Sequence, residues 1–402
     1  MKKRDLQAVF ASFLVASTVL AGCGSTEEAP KEEKQEEAAP AEETEEKPAE
    51  ETEAPAAAGD VQAQIDAHKT FGAEKDKLKE EGGEVDWAAV EKAYNENLQA
   101  AVNDVNGEFA QGIEAAIAGG QSGEIEPVVA MQLVDKLTQS YFYQKQKSLQ
   151  KDVIAALTEK KADQAKASFE EIKLITENVI VPTAEKRDNY YELTGEKSIA
   201  ENINNGLKVQ EEALQAENAD DYQVYSQLTD KSAYKVYYLA ANGYAEKIEA
   251  AVKEGKEDEL QIMQAEAYGF YQAIKESLAG GDEEASKKLD ELFSLDSDPK
   301  AIKASEVNSL FNKAIIGKIT SYHEKAPAAL EEDKATDAKT SALEGNMFMN
   351  MIDIQLNKQL GEDKAAELHE KAEKWYAAIE AGKADEAKPL SEEIVSMLGQ
   401  VK

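Results

Sequence analysis

The stretch YAEKIEAAVKEGKEDELQIMQAEAYGFYQAIKESL, residues 244–278, decides the fold class. Ile248, Ala251 and Val252 fall on one face of a helix, and Gly255 interrupts the run inside a charged turn. Leu260, Met263, Ala267, Phe270, Tyr271 and Ile274 then return at three- and four-residue steps, the period of a second helix. A helix, a tight turn and a returning helix make one hairpin. The same grammar recurs in LTEKKADQAKASFEEIKLI (157–175) and QLGEDKAAELHEKAEKWYAAIEAGK (359–383): a charged turn, then an Ala/Glu helix with an aromatic near its middle, Phe169 or Trp375. A longer correspondence joins AMQLVDKLTQSYFYQKQ to SALEGNMFMNMIDIQLNKQ. The spacing is irregular, so these are duplicated hairpins packed as bundles rather than a regular solenoid.

Beyond Asp60 the chain is rich in Ala, Glu, Lys, Leu and Gln, all strong helix formers. Pro127, Pro182 and Pro299 stand between periodic runs, and no stretch sustains the period-two alternation of a strand. The expected class is all-α. We expect one helical lobe over 60–205 and a second over 206–402, with ELTGEKSIAENINNG (192–206) as the connector.

The first sixty residues are of a different kind. Lys2, Lys3 and Arg4 precede an apolar run from Ala8 to Leu20, the layout of a secretory signal. The run ends in Leu20-Ala21-Gly22-Cys23, and Cys23 is the only cysteine in the chain. This junction resembles the bacterial lipobox. The resemblance implies removal of residues 1–22, a diacylglyceryl group on Cys23, and anchorage at the outer face of the cell membrane, where two acyl chains hold firmly. With the thiol lipidated, no disulfide, cysteine nucleophile or thiolate metal site remains. Residues 24–59 hold thirteen Glu against three Lys, with Ala, Pro and Thr making up most of the rest. Low hydrophobicity and high charge predict a disordered acidic tether over 23–59, with a reach on the order of 100 Å.

The formal net charge is −35, and removing the +2 of residues 1–22 leaves −37. Arginine occurs only at Arg4 and Arg187. Nucleic acid and anionic lipid both select basic surfaces, so neither is expected as a partner of the helical body. The acidity suits either solubility or the attraction of cations.

Catalytic motifs are absent from the sequence. His68, His323 and His369 stand in no H-E-x-x-H, and the residues three before them (Ile65, Thr320, Ala366) exclude the Glu-x-x-His of carboxylate-bridged di-iron bundles. LDSDPK (295–300) lacks the glycine and distal glutamate of a calcium loop. There is no G-x-S-x-G, no phosphate-cradling Gly-Lys-Ser/Thr and no G-x-G-x-x-G. No enzyme is expected.

Two clusters remain as candidates for binding. Met347, Phe348, Met349 and Met351 crowd into five residues, with thioethers that ligate soft metals or haem iron but equally fill cores. Tyrosine outnumbers phenylalanine fifteen to ten, with groups around Tyr141, Tyr190, Tyr237 and Tyr238, a residue type at home on cleft walls and in helix seams. The candidate ligand contacts are Tyr141, Arg187, Tyr190, Tyr237, Tyr238, His323 and Met347, for a metal ion, haem or a cationic small molecule. DWAAVEKAY (86–94) and the Ala-Glu helices running to Tyr271 and Tyr376 give the body a resemblance to extracytoplasmic helical modules of bacterial iron and metal uptake systems. That implies an envelope or transporter protein as partner. The alternative is a structural or interaction scaffold of the cell envelope with no small ligand. A binding module would show a concave polar site between the lobes, and a scaffold an exposed apolar stripe.

Overall fold

The computed structural model describes residues 61–402, so the lipidation site Cys23 and the acidic tether lie outside the described residues. The described residues are helical throughout and contain no strand. The quoted stretch folds as its periodicity predicts. Helix α9 (Ala219–Glu254) ends on Gly255 at φ 73°, a left-handed conformation natural to glycine, and α10 (Leu260–Gln272) runs back along it. Tyr244 and Phe270 stack across the hairpin with centroids 6.1 Å apart. The returning helix breaks at Ile274 and resumes as the short α11 (Lys275–Ala279).

The hairpin turn is a repeated device. At Gly255 the backbone N–H of the left-handed residue bonds back to Val252, and that of Lys256 to Ala251. The same pair of bonds closes the turns at Lys160, Glu217, Asp333 and Gly382, every one of them at positive φ. Each turn stops one helix and launches the next. The aromatics singled out by the repeat (Phe169, Phe270 and Trp375) are all buried.

Two long helices organise the rest. Helix α5 (Pro127–Thr158) and α9 have 32 and 36 residues, about 50 Å each. Both are buried on all sides along their middles, over 129–143 and 228–243, as expected of central rather than surface helices. Around α5 pack α1 (Val61–Lys77), α4 (Gly107–Ser122) and α6 (Ala162–Ile175), with α2 (Trp87–Asn97) and α3 (Gln99–Val105) against α1 and α4. Helix α7 (Val181–Tyr191) continues α6 through a π-helical turn, Thr176–Ile180, so Pro182 lies in the first turn of a helix rather than between runs. Against α9 lie α8 (Ile199–Gln215), α10, α13 (Ala304–Glu331) and α14 (Ala335–Met351). The remaining helices are α12 (Glu283–Phe293), α15 (Asp353–Leu360), α16 (Glu362–Glu380) and α17 (Ala384–Leu398).

The two groups of helices meet where α5 crosses α9 and α10. Tyr143 donates to Asp230 at 3.0 Å, Tyr237 to the Gln139 carbonyl at 3.0 Å, and Ser140 to the Gly269 carbonyl at 2.7 Å. A Cβ at Gly269 would stand 2.3 Å from the Cβ of Lys136, so only glycine allows the α5–α10 approach.

Candidate functional site

A cavity of about 780 Å³ lies within the size range of small-molecule sites. One wall is Tyr191 at the end of α7 and residues of the predicted connector: Glu192, Glu196 and Lys197, with Ile199 and Asn202 where α8 begins. Opposite stand Lys231 and Lys235 of α9, Met347 and Asn350 of α14, Asp353 of α15, and Glu362, His369 and Glu373 of α16.

Asp353 is the hub of the polar wall. It accepts from His369 Nε2 at 2.9 Å and from Asn357 at 2.8 Å, with Lys197 Nζ 3.4 Å away. Burial alone would raise its pKa, but the His369 bond and the neighbouring positive charges hold it down at about 2. It is a carboxylate throughout the physiological range. Lys231 turns away into an ion triad, 2.6 Å from Asp230 and 2.8 Å from Glu344. Burial opposes its charge, yet the two carboxylates hold its pKa well above the usual lysine value.

Lys235, one turn further along α9, differs. Its amine donates to the Asn350 carbonyl at 3.0 Å and has no carboxylate within ion-pair distance among the described residues. Burial lowers its pKa, Lys197 adds to that, and the more distant Asp353 and Asp188 oppose it. Glu192, Glu196, Glu362 and Glu373 likewise enter no ion pair among the described residues. Burial raises the pKa of Glu373, the innermost of the four.

The expected ligand contacts do not converge. Met347 alone reaches this cavity, while its neighbours Met349 and Met351 fill the core. Tyr141, Tyr237 and Tyr238 are not on a cleft wall. They are core residues of α5 and α9: Tyr141 donates to Gln64 at 2.6 Å, and Tyr238 packs edge-on against Phe311 at 5.1 Å. The reason is that both helices run through the middle of the helical body, and these three positions face packed neighbours rather than the lysine-bearing faces that open on the cavities. His323 is also a core residue. It stacks 3.8 Å from the Trp375 ring, its Nδ1 is 3.0 Å from the Ser391 hydroxyl, and burial pushes its pKa down to about 3. Arg187 and Tyr190 do come together, on α7, with the guanidinium 5.9 Å from the tyrosine ring, but they lie off the large cavity. Among the described residues no group of three His, Cys, Asp or Glu is placed to hold a metal ion.

Lys231, Lys235, Asp353 and Glu373 were not singled out in the sequence, and His369 was weighed there only as a metal ligand. A signal was present for the lysines. In LTDKSAYKVYYLAANGY (228–244) they are the only cations in an otherwise buried run, four residues apart and therefore on one face. No protein-family model matches this chain, and no curated protein or solved structure is significantly similar to it.

Proposed function

We propose that the chain is a lipoprotein anchored through Cys23 to the outer face of a bacterial membrane, whose helical body binds a small organic cation in the 780 Å³ cavity. The observation that carries this reading is the imbalance on the cavity wall. Four carboxylates (Glu192, Glu196, Glu362 and Glu373) have no counter-ion, against one amine, Lys235, without a carboxylate partner. Glu192, Glu196 and Glu362 are exposed and add negative charge at the rim, while half-buried Glu373 attracts positive charge more strongly than a carboxylate in open water. Lys235 suits a second, anionic end, as in a zwitterion. A metal ion is the weaker ligand class, since the cavity offers no cluster of three ligating carboxylates or imidazoles among the described residues. Haem is weaker too, because the His323 imidazole is enclosed and His369 is committed to Asp353.

The surface supports binding over scaffolding. Among the described residues, the exposed large apolar side chains are Tyr190 and Leu295, and they make no stripe. The tether would hold the body clear of the headgroups, free to meet diffusing solute or a transporter partner.

Two experiments test this function. Small molecules released by denaturing the protein purified from its host are identified by mass spectrometry, for the wild type and for Glu362→Gln/Glu373→Gln. A cationic compound present in the wild type and depleted in the variant is the expected result. Equal recovery from both, or nothing above the background of an unrelated protein, would overturn it. Cys23→Ser is expected to move the protein from the membrane to the soluble fraction. Retention in the membrane would refute the anchor.

A further inference from the structure

A second cavity, about 260 Å³, opens between α1, α5, α7, α9 and α10, and its charge is opposite to that of the first. In a chain of net charge −35, five cations line it: Lys75, Lys79, Lys136, Lys186 and Arg187. Three of them are committed elsewhere. Lys75 and Lys136 share Asp135, which also accepts from His68 at 2.9 Å, and Lys79 pairs with Asp76 at 2.6 Å.

Arg187 and Lys186 are not. Arg187 is 5% exposed, and its buried Nε and Nη1 find no hydrogen-bond acceptor within the protein. Its guanidinium stands between two aromatic rings, 5.9 Å from Tyr190 and 6.0 Å from Tyr244. Those ring faces accept none of its strong hydrogen bonds. A buried guanidinium with orphaned donors is costly unless an anion completes it. Lys186 makes no ion pair among the described residues, and burial, Lys136 and Arg187 all lower its pKa. Lys247 lies 4.5 Å from the Tyr244 ring and is likewise without an ion pair, its pKa lowered by burial and then by Arg187. Against Lys186 and Arg187 the cavity wall offers one carboxylate, Glu266, and the single carboxylate of Asp135 answers both Lys75 and Lys136. About two positive charges remain uncompensated.

We propose that this cavity is a binding site for a dianionic oxyanion, a phosphate either free or as the head of a small phosphorylated molecule. Arg187 supplies the planar fork that matches two phosphate oxygens, and Lys186 a point charge from the same helix. The volume of the cavity fits one tetrahedral head group. The excess of two charges selects a dianion over a single carboxylate. Lys75 and Lys136 frame the site and hold Asp135 back from the anion. This site is separate from the acid-walled cavity, and neither reading depends on the other.

Isothermal titration calorimetry of the full chain with inorganic phosphate, and separately with glycerol 3-phosphate, tests the site. The wild type is expected to bind, and Arg187→Met to weaken binding by at least about tenfold, since a charge-assisted fork is lost. Arg187→Lys keeps the charge without the fork and is expected to fall between the two, as is Lys186→Gln on the exposed flank. Binding of phosphate alone identifies the free ion, and binding of both probes a phosphorylated head group. Circular dichroism of each variant confirms the fold before titration. No heat from either probe at millimolar concentration, or equal affinity in wild type and Arg187→Met, would overturn the proposal.

Discussion

The ion triad Asp230–Lys231–Glu344 and the cation pair of buried Arg187 and exposed Lys186 are charge clusters of one helical body, and they are built on opposite plans. In the triad each charge has its partner. Lys231 reaches two carboxylates within 2.8 Å, and Asp230 further accepts from Tyr143 at 3.0 Å. Around Arg187 two buried donors, Nε and Nη1, are orphaned. A satisfied network fixes how α9 and α14 pack. An unsatisfied one, beside a cavity, costs stability that only a ligand returns. The difference separates structural charge from functional charge, where composition and burial alone would class the two together.

The largest effect expected from breaking this contrast is at Lys231. Lys231→Met strands Asp230 and Glu344 as buried carboxylates and is expected to destabilise the fold by about 3–5 kcal/mol in chemical denaturation. The triple change Asp230→Leu/Lys231→Met/Glu344→Leu is expected to recover most of that loss. If the single and triple variants were equally unstable, the triad would owe its effect to packing and not to charge.

His323 sharpens the comparison with a buried group held neutral. Its folded pKa is about 3 against 6.5 in the unfolded chain. Between those values the unfolded state binds a proton that the folded state refuses. The stability from His323 is therefore full above pH 6.5 and falls as the pH drops towards 3. Lowering the pH from 6.5 to 4 is expected to remove about 3 kcal/mol more from the wild type than from His323→Gln. Parallel pH profiles for the two proteins would refute the enclosed, neutral imidazole.

The smallest expected effect is on the other side of the contrast. Arg187→Met removes an uncompensated cation from the interior, and its stability without ligand is expected to stay within about 1 kcal/mol of wild type, on the stabilising side. A loss as large as that of Lys231→Met would show that Arg187 has a structural partner after all.

The fold was legible because its determinants are local. The glycine at 255, the charged turns and the three- and four-residue apolar steps each lie within a single hairpin, and the structure places a helix pair there. Even so, only three hairpins were visible in sequence. The turns at Glu217 and Asp333 use a non-glycine residue at positive φ, and neither a glycine nor a lysine pair like that at Lys160 marks them. The cavities were not legible, because their parts converge from afar. Lys75, Lys136, Arg187 and Glu266 come from four helices and gain meaning only when the long helices cross. The tyrosines misled for a related reason. A hydroxyl suits a wet cleft wall or a dry seam with a partner in reach, and the partner of Tyr237 is a backbone carbonyl on another helix that periodicity does not reveal.

Arginine's rarity makes the central distinction directly measurable. With Arg4 and Arg187 the only arginines in the chain, arginine-selective 15N labelling leaves at most two guanidinium Nε–H resonances. The signal lost in Arg187→Lys identifies Arg187. Inorganic phosphate is expected to shift that resonance and slow its exchange with water at concentrations where the same ionic strength of sodium chloride leaves it unmoved. A resonance indifferent to phosphate would place Arg187 with the structural charges and contradict the separation drawn here between a satisfied network and a site.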